Sequence, residues 1–220
     1  MMAKAQRRYV CQSCGSVSHR WQGQCADCSE WNTLVEEAAA VVTPFQAKHN
    51  LQSGGRALTL VKLDAEIALP ERMIFGIAEL DRALGGGLVA GSATLIGGDP
   101  GVGKSTLLLQ AAARLARSGR SVAYVSGEEA ADQVRLRAQR LGLGDAPVQL
   151  AAATSTRDIL TTLGQGTPPA LLVIDSIQTL FTDELQSAPG SVAQVRDCAA
   201  RLTRLAKQRG VAVVMIGHVT

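Results

Sequence analysis

The sequence predicts an α/β fold, in which a mainly parallel sheet is flanked by helices and preceded by a small cysteine-rich ribbon. From residue 58 onward, apolar strand-like runs alternate with segments of helical periodicity, which is the pattern of βαβ units. Before that point, two C-x-x-C pairs lie close together. We therefore expect a ribbon at 1–35, a linker at 36–57 that lacks a sustained period, and an α/β core at 58–220.

Composition sets broad limits on the protein. Its 220 residues, 46% of them hydrophobic, suffice for one ordinary domain of about 150 residues and a small module. The formal charge of +3 is compatible with nucleic-acid binding but does not indicate it. No run of 18 apolar residues occurs, and no apolar segment precedes the first cysteines. We expect a cytoplasmic protein with no membrane partner.

The ribbon carries its cysteines at metal-binding spacing: Cys11 with Cys14, and Cys25 with Cys28. Two such knuckles point four thiolates at one centre, which is the tetrahedral set that Zn²⁺ prefers. The alternatives are two disulfides, which a reducing cytosol disfavours, and a redox dithiol, which the lack of a surrounding βαβ pattern disfavours. His19, between the pairs, is either a further ligand or a surface histidine. We expect a structural Zn²⁺ that supports folding of the ribbon.

The core is expected to alternate strands and helices along the chain. A strand at 58–65 and a short helix closed by glycines come first, followed by a strand at 93–97 and a helix to about 118. Further strands are predicted within 121–129, 148–153, 168–181 and 211–220, and helices within 130–142, 155–165 and 191–210. Cys198, in the last helix, is expected to be a buried free cysteine.

Residues 97–106 read GGDPGVGKST, a match to G-x-x-x-x-G-K-[ST]. Glycines such as Gly98 and Gly103 let backbone N–H groups wrap phosphates closely, and Lys104 supplies a charge to the β and γ phosphates. Ser105 offers a hydroxyl to Mg²⁺, and Thr106 opens a helix whose N-terminus favours anions. Because a strand precedes this loop and a helix follows it, we expect ATP or GTP binding. The alternative is a glycine-rich turn without a ligand.

Carboxylates end two of the predicted strands. Asp175 follows a buried apolar run, at the sheet edge where ligands of open α/β sheets bind, and is expected to hold Mg²⁺ directly or through water. Its alternative role is a helix cap followed by Ser176. Glu128 and Glu129 follow the strand at 122–127, where a carboxylate can accept a proton from the attacking water. We favour Glu128 as the base, with Glu129 second; the alternative is that both stabilise a helix N-terminus.

The motifs together resemble a known family. The ribbon CQSCGSVSHRWQGQCADCSEWNTLVEE, followed in order by GGDPGVGKSTLLLQ, YVSGEE, LLVIDSIQT and IGHVT, is similar to the bacterial DNA repair proteins RadA, also called Sms. The resemblance runs along nearly all of the chain. It implies a RecA-like ATPase core, with Asp175 on Mg²⁺, Glu128 and Lys104 in catalysis, and His218 as a γ-phosphate sensor or simply a strand-end histidine. It also implies ATP-phosphate contacts from Gly98, Gly101, Gly103, Lys104, Ser105 and Thr106.

The resemblance further implies ATP-driven translocation on single-stranded DNA, which promotes branch migration of recombination intermediates, by a homohexameric ring. Expected partners are single-stranded and branched DNA and a recombinase or replicative helicase. The alternatives are a nucleotide-binding module that docks a partner without motor activity, and a RecA-like ATPase that does not act on DNA. RadA proteins continue beyond IGHVT, so we expect a C-terminally truncated chain whose last strand is left as an exposed apolar edge.

Overall fold

The computed structural model describes residues 8–11, 16–37, 60, 62 and 70–218. The ribbon is a three-stranded antiparallel sheet of order β2-β1-β3. Its strands are β1 (Arg8–Cys11), β2 (Val17–Ser18) and β3 (Leu34–Glu37). The third strand runs across the predicted ribbon boundary at 35. Cys14 of the ribbon lies outside the described residues, as do residues 38–57 of the predicted linker.

A short helix and a small hairpin lead into the core. The helix is closed by glycines as predicted, since Gly85 follows it with a φ of +70°. The elements are β4 (Arg72–Met73), α1 (Ala78–Ala83) and β5 (Leu88–Val89). Of the strand predicted at 58–65, only residues 60 and 62 are described, and neither lies in a strand.

The main sheet has five parallel strands in the order β6-β10-β9-β7-β8, which confirms the predicted parallel α/β core. Four helices connect these strands. The strands are β6 (Ala93–Gly98), β7 (Val122–Ser126), β8 (Val148–Ala152), β9 (Leu171–Asp175) and β10 (Ala212–His218). The helices are α2 (Lys104–Arg117), α3 (Ala131–Arg140), α4 (Thr156–Gly164) and α5 (Val192–Arg209). None of the described helices is long and apolar enough to cross a membrane.

Both faces of the three inner strands, β10, β9 and β7, are buried. Side chains along each strand alternate between the two faces, so Tyr124 and Val173 pack towards α2 and α3. Their neighbours Val125 and Ile174 pack on the opposite face, in a cluster with residues of α4 and α5. Apolar side chains on both faces explain why the strand sequences read as continuous apolar runs.

The position of β10 corrects one expectation. We expected the last strand to be an exposed apolar edge, but β10 lies inside the sheet, paired with β6 on one side and β9 on the other. Residues 211–217 are all buried. The described sheet instead has β6 and β8 at its edges, and Leu95 on β6 is 61% exposed.

Candidate functional site

The phosphate loop joins the carboxyl end of β6 to the start of α2. Gly101 and Gly103 have φ values of +81° and +92°, and a Cβ built on either would meet nothing within 4 Å. Helix α2 begins with no side-chain cap and no acidic residue in its first turn, whereas Ser155 and Ser191 cap α4 and α5. Its first N–H groups are therefore not capped by a side chain of the described residues. This arrangement fits an anion such as a nucleotide phosphate.

Lys104 is the first residue of α2, at the end of this loop, and its ammonium group is partly buried. Its Nζ donates to the carbonyl oxygens of Gly98 and Asp99, at 2.7 Å each. It also lies 3.5 Å from Nδ1 of His218. This contact follows from the register, which pairs His218 of β10 with Gly98 of β6. The loop and the end of β10 thus meet at the lysine.

Asp175 is buried at the carboxyl end of β9, and its two oxygens face different partners. Ser105 Oγ donates to Oδ1 at 3.0 Å, and the Tyr124 hydroxyl donates to Oδ2 at 2.5 Å. Burial, followed by the charge of Asp175, raises the pKa of Tyr124 above its ordinary value, so the phenol keeps its proton. Serine hydroxyl and carboxylate oxygens fit Mg²⁺, which prefers oxygen ligands. The residue in the cap position of the following 3₁₀ turn is Ser176, not Asp175.

Glu128 lies beside the lysine, on the side of β10. Its Oε1 accepts from Ser176 Oγ at 2.5 Å and lies 3.1 Å from Nε2 of His218. Partial burial raises the pKa of Glu128, but the hydrogen bonds from Ser176 and His218 outweigh it and bring the pKa below its ordinary value. Because α3 begins only at Ala131, Glu128 is not in the first turn of that helix.

Glu129, although adjacent in sequence, faces a different partner. Its Oε1 accepts from Nη1 of Arg137 at 2.8 Å. Arg137 belongs to α3, and its Nη2 lies 3.8 Å from Oδ2 of Asp175. The two glutamates therefore occupy separate environments, one next to Lys104 and His218 and the other tied to α3.

Sequence reasoning missed three polar side chains of this site. Tyr124 lies in the middle of an apolar strand, where a buried tyrosine hydroxyl needs a partner, and this was the one available signal. Ser176 directly follows Asp175 and was considered only as part of a cap. Nothing in the local pattern of α3 separates Arg137 from its exposed neighbour Arg135.

The described cysteines of the ribbon converge on one point. The Sγ atoms of Cys11, Cys25 and Cys28 all lie within 4.8 Å of one another, and those of Cys11 and Cys28 are 3.6 Å apart. Thiolates bound to one Zn²⁺ at about 2.3 Å lie roughly 3.8 Å from each other, so this spacing fits the metal. Hydrogen bonds, first from Ser16 and then from the backbone at Cys28 and Asp27, lower the pKa of Cys25 to about 6, which favours the thiolate.

Two other sequence predictions can be placed. His19 is exposed and is not part of the cysteine cluster, in agreement with a surface histidine. Cys198 is a fully buried free cysteine, as predicted, and Thr156 donates to its sulfur at 3.1 Å. Burial raises the pKa of the Cys198 thiol, which keeps it in the unreactive form.

The family model described as an AAA domain matches residues 63–220. The chain belongs to the AAA domain family. A second model, described as a rubredoxin metal binding domain, matches residues 9–36. Together with the cysteine cluster, this match supports Zn²⁺ in the ribbon.

Full-length relatives extend the comparison. The chain is 52% identical over 224 residues to the DNA repair protein RadA of Brucella abortus (strain 2308), covering 100% of this chain and 48% of that protein. It is 50% identical over 221 residues to RadA of Pseudomonas aeruginosa PAO1, again with 100% and 48% coverage. The resemblance to RadA is confirmed, and the chain spans about half the length of these curated relatives.

A solved structure resembles the core. A DnaB-like replicative helicase, solved in a study of its interactions with primase, is similar with a TM-score of 0.57 at 16% identity, over 67% of this chain and 43% of that one. At this identity the likeness concerns the fold alone. It confirms the expected RecA-like α/β core.

Proposed function

We propose that this chain carries the ATP-hydrolysing core and the metal ribbon of a DNA repair ATPase similar to RadA. We also propose the division into ribbon at 1–35, linker at 36–57 and core at 58–220. The observation that carries the proposal is convergence: Lys104, Ser105, Glu128 and Asp175 come from three separate segments and meet at one edge of the sheet. Phosphoryl transfer needs this combination of a cation, two metal ligands and a base.

The loop and α2 would bind the nucleotide. Backbone N–H groups around Gly101 and Gly103 would hold the phosphates, with Lys104 on the β and γ phosphates. Ser105 and Asp175 would hold Mg²⁺, which neutralises charge on the phosphates when bound. Gly98 and Thr106 complete the contacts implied by the resemblance.

Glu128 is the base that the geometry favours. A water molecule attacks the γ-phosphorus, the bond from that phosphorus to the bridging oxygen of ADP breaks, and the proton of the water passes to Glu128. Its lowered pKa keeps the carboxylate ionised, so it can accept the proton, and the same shift makes it a weaker base than an ordinary glutamate. Glu129 is engaged with Arg137 instead. His218 contacts both Glu128 and Lys104, which supports a role in sensing the γ-phosphate.

The DNA-related part of the proposal rests on the RadA resemblance. It comprises translocation on single-stranded DNA, branch migration, a hexameric ring, and a recombinase or replicative helicase as partner. Binding of this kind is carried mostly by phosphate contacts and weakens as salt rises.

Steady-state ATP hydrolysis, with and without single-stranded DNA at low and moderate salt, tests the proposal. Stimulation by DNA is the expected result. Equal rates of ATP hydrolysis with and without DNA would favour a RecA-like ATPase that does not act on DNA. ATP binding without turnover would favour a nucleotide-binding and partner-docking module.

The assignment of the base has its own test. Glu128→Gln should bind ATP normally and lose hydrolysis by about 10²- to 10⁴-fold, the usual contribution of a general base. Glu129→Gln is the matched control, since its amide oxygen can still accept from Arg137, and it should retain most of the turnover. Unchanged turnover in Glu128→Gln would remove Glu128 from this role.

A further inference from the structure

Two side chains from different elements lie next to Oδ2, one of the two carboxylate oxygens of Asp175. The hydroxyl of Tyr124, from β7, donates to Oδ2, and Nη2 of Arg137, from α3, lies 3.8 Å from the same atom. Among the described residues, the other oxygen, Oδ1, accepts a hydrogen bond only from the hydroxyl of Ser105. Oδ2 thus faces Tyr124 and Arg137, and Oδ1 faces the start of α2.

The sheet register explains why these groups meet. Tyr124 pairs with Val173, and Ser126 pairs with Asp175, so Tyr124 and Asp175 lie on adjacent strands and on the same face of the sheet. That face is the one covered by α2 and α3. A helix on this face can therefore place one of its side chains beside the end of β9.

The guanidinium of Arg137 is held in place by Glu129, which accepts from Nη1 at 2.8 Å. Its side chain is only 17% exposed, and Nε and Nη2 have no hydrogen-bond partner among the described residues. Its charge is therefore directed at the carboxylates of Glu129 and Asp175, in a poorly solvated place where charges interact strongly.

We propose that Tyr124 and Arg137 are positioning residues for the Mg²⁺-binding carboxylate, a role that deepens the proposed function and rests on it. A carboxylate turns easily about its last torsion, which is broad and roughly two-fold. The hydrogen bond from Tyr124 to Oδ2 and the nearby positive charge of Arg137 oppose this rotation and keep Oδ1 aimed at Ser105, on the side of the phosphate loop. Residues that orient a metal ligand without touching the metal typically contribute 10- to 100-fold to metal affinity.

A role in packing alone makes a different prediction. Removing a buried hydroxyl would then lower stability and leave the Mg²⁺ dependence of nucleotide binding as it was. The positioning role instead raises the Mg²⁺ concentration that is needed, without weakening the binding of metal-free nucleotide. The midpoint of a Mg²⁺ titration separates the two roles.

The experiment measures binding of a fluorescent ATP analogue to the full chain, first in EDTA and then across a Mg²⁺ titration. Tyr124→Phe keeps the ring and removes the donor, and Arg137→Lys keeps the charge but loses the fork that reaches two carboxylates. Arg135→Lys is the matched control, since Arg135 lies on the same helix in an exposed ion pair with Asp132. Thermal unfolding of each variant reports its folding.

We expect the Mg²⁺ midpoint to rise about tenfold or more in Tyr124→Phe and Arg137→Lys, with affinity in EDTA unchanged and Arg135→Lys like the wild type. Wild-type midpoints in both variants would overturn the inference while leaving the proposed nucleotide site intact. If Tyr124→Phe does not fold, Arg137→Lys decides the question. A wild-type chain whose nucleotide affinity ignores Mg²⁺ would overturn the metal site itself, and the positioning role with it.

Discussion

A methyl group added at Gly127 would disturb the strand end that places Glu128. A Cβ at this position would lie 2.0 Å from Oγ1 and 2.8 Å from Cβ of Thr179. Rotation of the Thr179 side chain can move Oγ1 but not Cβ. The backbone must therefore shift by roughly 0.7 Å to restore a carbon–carbon separation of about 3.5 Å.

This shift is resisted by the hydrogen bond from the N–H of Gly127 to the carbonyl oxygen of Asp175, at 2.7 Å. We expect Gly127→Ala to lower the free energy of unfolding by about 1–3 kcal/mol, the usual cost of overpacking. We also expect ATP turnover to fall by up to about 10²-fold, since a displacement near 1 Å can cost that much. The reason is that Glu128, the next residue, would move away from Ser176.

Urea unfolding followed by circular dichroism measures the stability, and steady-state hydrolysis measures the turnover. Gly164→Ala, at the end of α4, is the matched control, because a Cβ there meets nothing within 4 Å. Thr179→Gly removes the obstructing Cβ, so the double variant should recover part of the loss. A Gly127→Ala protein within about 0.5 kcal/mol of the wild type, with full turnover, would refute the reasoning.

Three further outcomes can be checked. Ser176→Ala removes a hydrogen bond that lowers the pKa of Glu128, so the acid limb of kcat should move to higher pH; superimposable pH profiles would contradict this. Chelation of the ribbon metal should change tryptophan fluorescence, because both tryptophans of the chain, Trp21 and Trp31, lie in the ribbon, while the circular dichroism signal of the core should persist. Simultaneous loss of both signals would argue against separate folding of ribbon and core. Cys198 should resist a thiol reagent until the protein unfolds, and rapid labelling of the native protein at this residue would show that it is not buried.

Much of the core could be predicted because its signals are local. Alternating strand and helix patterns place β7 to β10 within the expected ranges and β6 one residue past its expected end at 97, and the phosphate loop is a contiguous run whose glycines act through their own backbone. Asp175 was placed at the sheet edge because the carboxyl ends of parallel strands share that edge.

The order of the strands in the sheet was harder to predict from the sequence. The expected loss of the segment that follows IGHVT in RadA proteins suggested that β10 would be an edge, yet β10 lies between β6 and β9. Strand neighbours are chosen by packing between distant segments, and a buried apolar run such as 211–217 reads the same whichever strands flank it. The different surroundings of Glu128 and Glu129 were also inaccessible, since adjacent residues share nearly the same sequence context.

The amino-acid pattern thus specifies which segments are strands, helices, phosphate loop and metal knuckles, since each depends on backbone preferences and side chains within a few residues of one another. Folding decides which side chains meet: Tyr124 and Arg137 behind Asp175, and Ser176 and His218 around Glu128. Those contacts depend on strand register and helix placement. Both are set by burial of the whole core rather than by any single segment.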